Sequence, residues 1–180
     1  NLLMADAIVI NKIDTADLEG IETVRENIAA YNPKAIVIDA ASPLSVDKPE
    51  LIRGRKVLCV EDGPTLTHGG MLYGAGIMAA MKFGASELVD PRPWATGKLA
   101  GTFEKYPDIG TLLPAMGYGA QQIKDLERTI AKVKCDTVII GTPIDLGRVI
   151  DIKQPTVRVT YDLDEIGHPD LKDVLKPFLK

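Results

Sequence analysis

Short apolar runs alternate along the chain with longer stretches in which apolar residues recur every three or four positions, a pattern that predicts strands and helices in turn. Strands are expected at 7–10, 35–39, 56–61, 85–89, 136–141 and 156–161, and helices at 17–31, 70–83, 97–105, 120–133 and 169–179. The first helix can be capped by Thr15 or Asp17, carries Leu18, Ile21, Val24, Ile28 and Tyr31 at helical spacing, and stops at Pro33. The helix from Ala120 gathers Ile123, Leu126, Ile130 and Val133 on one face. The last helix, opened by Pro169 after the lead-in residue His168, does the same with Leu171, Val174, Leu175 and Phe178. This alternation argues for an α/β fold, a mainly parallel sheet with helices on both faces. The polar, Pro- and Gly-punctuated stretch Ser45–Gly54 is the expected boundary, giving a first domain over 1–54 and an α/β lobe over 55–180.

Composition narrows the function classes. With 46% hydrophobic and 26% charged residues and a net charge of −4, the chain matches a globular protein with no general pull toward nucleic acid or anionic membrane. No apolar run approaches the roughly 18 residues of a membrane span. Residues 1–10 contain Asp6 and lack the basic flank of a signal peptide, so a cytoplasmic location is expected. Cys59 and Cys135 fall in apolar runs without C-x-x-C spacing, which predicts buried thiols and no metal site. Homo-oligomerisation is left open.

The first predicted strand runs straight into Asn11-Lys12-Ile13-Asp14. This tetrad is the guanine-reading element of many P-loop GTPases. A carboxylate at a strand end can accept from both N1–H and N2–H of guanine, while Asn bonds the other edge and the Lys stem lies against the ring. A base that leaves this group unsatisfied is rejected at a cost of about 1–3 kcal/mol. After the second strand come Ala40, Ala41 and Ser42, small residues where such enzymes close a loop over the base. Asn11, Lys12, Asp14, Ala41 and Ser42 are therefore the candidate nucleotide-binding residues. The alternative is an ordinary strand-to-helix turn.

No segment matches the phosphate-binding G-x-x-x-x-G-K-[ST]. Gly97-Lys98-Leu99 lacks the following hydroxyl residue and, with Arg at position 92, the upstream glycine. The chain opens on Asn1, just before a strand that would sit late in a P-loop domain. It therefore reads as a fragment that would not hydrolyse a nucleotide alone, with the phosphate loop and Mg²⁺ ligands upstream.

A second candidate site follows the third strand, in Glu61-Asp62-Gly63-Pro64-Thr65-Leu66-Thr67-His68-Gly69-Gly70-Met71. A strand, a Gly-rich turn and a helix start can present several N–H groups to an anion. Here Gly69 and Gly70 would offer backbone donors, and Thr65, Thr67 and His68 polar side chains. Glu61 or Asp62 would hold a Mg²⁺-bound water or act as a base. The competing reading is a tight turn with close helix packing through Gly74 and Gly76. Arg92, stiffened by Pro91 and Pro93, would make a two-pronged phosphate contact, and Thr142 stands at another strand end, where ligands gather in open α/β sheets.

Taken together, the tetrad, the 61–71 run, Asp90-Pro91-Arg92 and Gly141-Thr142-Pro143-Ile144-Asp145-Leu146 resemble the cyclic 2,3-diphosphoglycerate synthetases and related predicted P-loop GTPases, over nearly the whole chain. The resemblance implies an NTP-driven ring closure on an anionic phosphorylated small molecule, with ATP and Mg²⁺ as cofactors where the tetrad points to GTP. His68 would carry a proton or bind phosphate, with Arg92 and Glu61 as its catalytic companions. The rival class is a regulatory or metallochaperone-type GTPase whose C-terminal lobe binds a protein partner.

Overall fold

A computed structural model describes residues 1–63 and 73–179. The chain divides into two compact units, residues 1–44 with 161–180, and residues 45–160.

In the first unit, β1 (Ala7–Ile10) lies parallel to β2 (Ile36–Ala41), with Ile10 opposite Asp39. Helix α1 (Leu18–Tyr31) connects them, capped by the Asp17 carboxylate, which accepts from the Gly20 N–H at 2.6 Å. Arg25 on α1 donates to both carboxylate oxygens of Asp39 on β2, at 2.8 and 2.7 Å. The core here is small: Ile10, Ile28, Ile38 and Ala40. The expected apolar face of α1 is only partly realised, since Leu18, Val24 and Tyr31 are exposed. Each three-residue step falls about 60° short of a full turn, so a face stepped mainly by threes drifts off the sheet.

The end of the chain returns to this unit. Strand β9 (Asp164–Ile166) pairs antiparallel with β2, Ala41 facing Asp164, and makes the sheet order β1-β2-β9. Within the mainly parallel arrangement expected, this sheet is mixed, because a strand too short and polar to be recognised by pattern (Asp-Glu-Ile) supplies an antiparallel edge. Helix α5 (Leu171–Leu175) follows, shorter than expected and continued by a 3₁₀ turn over Lys176–Phe178. Leu175 and Phe178, assigned to a buried face, are exposed.

The second unit holds a six-stranded sheet of order β3-β8-β7-β4-β5, with β6 also on β4. Its strands are β3 (Leu44–Val46), β4 (Lys56–Asp62), β5 (Glu87–Leu88), β6 (Leu113–Ala115), β7 (Thr137–Gly141) and β8 (Thr156–Tyr161). β4 is central: β7 runs parallel along one side, while β5 and then β6 share the other. Val57 to Val60 and Thr137 to Ile140 are buried without alternation, as expected for parallel strands covered on both faces.

Among the described residues, helices α2 (Ala75–Lys82), α3 (Lys98–Lys105) and α4 (Ala120–Lys132) belong to this unit. On α4, Leu126 and Ile130 are buried as expected, together with Val133 just past its end. Both cysteines are free thiols; burial pushes Cys59 upward in pKa, and Cys135 up to about 11. Among the described residues no helix is long and apolar enough to cross a membrane.

Candidate functional site

Three chain segments meet at one edge of the first unit's sheet. β1 and β2 are parallel, so the residues following each emerge at the same edge, and β9, running the other way from Asp164, begins there. The tetrad turns sharply at this point. Lys12 sits at φ 64°, a left-handed conformation that a lysine keeps only where its surroundings over-determine it. The Asn11 Oδ1 accepts the Lys12 N–H at 2.8 Å, and the Lys12 carbonyl accepts the Thr15 and Ala16 N–H groups.

The Ala40–Ser42 segment is bonded to this turn. The Ile13 N–H donates to the Ala40 carbonyl at 3.2 Å, and the Ser42 N–H donates to the Asp14 Oδ1 at 3.1 Å. Asp14 is nonetheless exposed, and among the described residues it forms no ion pair. The result is a fixed carboxylate, aimed by a backbone donor and open to solvent on one side. Asn11, Lys12, Asp14, Ala41 and Ser42 are thus gathered at one edge. Sequence reasoning missed one member: the Tyr161 ring, whose centroid lies 5.3 Å from the Lys12 ammonium. No local pattern could have found it, because the β9 pairing that delivers it is long-range.

In the second unit, polar groups gather at the carboxyl ends of β4, β6 and β7. Glu61 is 2% exposed, and its carboxylate accepts the Ile77 N–H at 2.9 Å, with the Gly74 and Gly76 N–H groups also favouring its charged form. Burial outweighs these donors and raises its pKa to about 7. Three glycines make room for it. A Cβ on Gly74 would lie 2.5 Å from Glu61 Oε2, one on Gly141 2.6 Å from the same oxygen, and one on Gly76 3.1 Å from Oε1. Glu61 therefore takes the place of an anion at the start of α2, and ties β4 to the residues at the far end of the Gly-rich segment.

Nearby, Thr142 is buried and donates from its hydroxyl to the Ile144 carbonyl at 2.7 Å. The Tyr118 hydroxyl, also buried, is pushed up in pKa by burial, an effect that Thr142 opposes and Asp62 reinforces. In the sequence Tyr118 reads only as part of a Gly117–Gly119 turn before a helix; the pairing of β6 with β4 brings it to this end of the sheet. Thr65, Thr67, His68, Gly69 and Gly70 lie outside the described residues.

Arg92 has other commitments. Its guanidinium donates to Asp90 at 3.0 Å and to the Ile109 carbonyl, and it stacks 5.0 Å from the Phe103 ring centroid. These partners fasten the segment after β5 to α3 and the loop beyond it. At Gly97-Lys98, the start of α3 is capped by a protein carboxylate: Asp125 of α4 accepts the Lys98 N–H at 3.1 Å.

No family model matches the chain. Over all 180 residues it is 59% identical to arginine synthetase ArcE of Thermococcus kodakarensis. It spans 40% of that protein's length. The relative's name points to arginine, where the motifs taken alone resemble enzymes acting on bisphosphoglycerate.

Proposed function

We propose that this chain carries the base-binding edge and a sheet-end site of a nucleotide-dependent synthetase. The observation that carries the reading is the convergence of Asn11–Asp14 with Ala40–Ser42, in which a backbone N–H fixes an exposed carboxylate. The arrangement fits a nucleobase, since a flat ring with hydrogen-bond donors on its edge can meet Asp14 while a lysine stem and an aromatic ring lie beside it. Kinship with a protein named as a synthetase favours ligase chemistry over a regulatory GTPase. It also moves the expected substrate from bisphosphoglycerate toward arginine or its immediate precursor.

A bound nucleotide would supply the phosphoryl group, its charge neutralised by Mg²⁺. The chain's own part would be to orient and to exclude water. Asn11, Lys12, Asp14, Ala41 and Ser42 would hold the base, and Thr142 and Tyr118 would line the sheet-end site. Glu61 would act as a positioning residue that holds the start of α2 against the end of β4.

The test is titration of the full-length polypeptide with MgATP, MgGTP and MgXTP, with product assays on arginine precursors and on 2,3-bisphosphoglycerate. Asp14→Asn is expected to change the preference among the three bases by at least about tenfold, the scale of one lost charged hydrogen bond. If the edge reads guanine, that variant gains affinity for xanthine. An unchanged base preference would remove the edge from nucleotide binding. Nucleotide-dependent formation of cyclic bisphosphoglycerate without arginine would reverse the substrate assignment.

A further inference from the structure

Tyr161 reaches the tetrad because β9 runs antiparallel along β2, Asp164 facing Ala41, so the residues just before β9 arrive where β2 ends. The Asp162 N–H donates to the Pro43 carbonyl at 3.4 Å, tying this segment to the residue after Ser42. The Tyr161 side of the edge is therefore built, and the residue is 48% exposed. The Lys12 ammonium over its ring belongs to a residue already held in a left-handed conformation. An exposed and movable cation, a fixed carboxylate and a half-exposed aromatic ring thus occupy one edge.

We propose that Tyr161 is the stacking wall of the base slot: a heteroaromatic base lies on its ring with the polar edge toward Asp14, displacing the Lys12 ammonium to the base's other side. The proposal rests on the reading of this edge as a base site and assigns a separate task within it. Every nucleobase has a π-face, so stacking contributes affinity with little regard to identity, whereas an edge-reading carboxylate discriminates. Tyr161 then sets how tightly a nucleotide binds, and Asp14 sets which one.

The experiment is calorimetric titration of the full-length polypeptide with MgATP and MgGTP. Tyr161→Ala is expected to weaken both by a similar factor, about tenfold, the scale of a single base–aromatic stack. Tyr161→Phe should stay within about twofold of wild type, which separates stacking from a structural role of the hydroxyl. Tyr161→Trp should add an indole emission quenched by saturating nucleotide, read as the difference from wild type, whose single tryptophan within these 180 residues is Trp94. Unchanged affinity in Tyr161→Ala, with Tyr161→Trp emission indifferent to nucleotide, would overturn the stacking wall while a changed base preference in Asp14→Asn left the slot standing. If neither Tyr161→Ala nor Asp14→Asn alters either affinity, the slot and its wall fall together.

Discussion

The carboxylate of Glu61 is nearly inaccessible, and Gly74 and Gly76 at the helix start, with Gly141, leave the room it occupies. Its ordinary pKa of 4.5 is raised by burial to about 7. Between those values the unfolded chain has released the proton that the folded protein still holds, so unfolding releases a proton and rising pH favours it. The stability contributed by this group is thus fully present below about pH 4.5 and lost as pH rises toward 7, on the order of 3 kcal/mol in all. Glu61→Gln should flatten that slope, read as the difference in urea midpoint between pH 5 and pH 7.5 for wild type and variant. An equal slope in both would show that other groups govern the dependence. Sequence alone marked Glu61 as a candidate and offered close packing through Gly74 and Gly76 as one of two readings of the turn. It could not show that the glycines pack against this particular carboxylate, because Gly141 joins them from another strand.

At the level of elements, periodicity succeeded where a helix meets a large core. On α4, Leu126 and Ile130 fill the interior, and the same helix turns Asp125 and Thr129 inward as well. These two are not errors in the pattern. Asp125 accepts from the Lys98 N–H and from Gln121 at 2.8 Å, while the Thr96 N–H donates to the Thr129 hydroxyl at 3.2 Å, so α4 caps and docks α3. Asp125→Ala removes the cap on α3 and leaves partly buried donors without their acceptor, and should destabilise the protein by about 1–2 kcal/mol in chemical denaturation. Asp125→Asn keeps an acceptor and should cost less than half of that. Equal losses would point to charge rather than capping. Where the core is small, as under α1, or a helix is short, as with α5, apolar spacing predicted burial that Leu18, Tyr31, Leu175 and Phe178 do not show.

On the scale of the whole molecule, the chain leaves its first unit at β3 and comes back at the end of β8, so residues 161–180 complete a sheet begun at the other terminus. Removing residues 162–180 would strip β9 from β2. Amide exchange along Ile36–Ala41 should then accelerate by at least about tenfold, while Val57–Val60, inside the six-stranded sheet, keep their protection. Uniform acceleration in both sheets would mean that the units do not open independently.

The sequence by itself determined the alternation of strands and helices, the buried central strands and the tetrad, because each is written in neighbouring residues: an unbroken apolar run, a helical period, a strand that ends in Asn-Lys-Ile-Asp. The tertiary structure alone decided that the sheet of the first unit is mixed, that Ser42 aims the Asp14 carboxylate, that Tyr161 faces Lys12, and that three glycines enclose Glu61. Those facts depend on which distant segments pair, and short strands such as 113–115 and 164–166 gain their pairing from the surfaces they meet rather than from any period of their own.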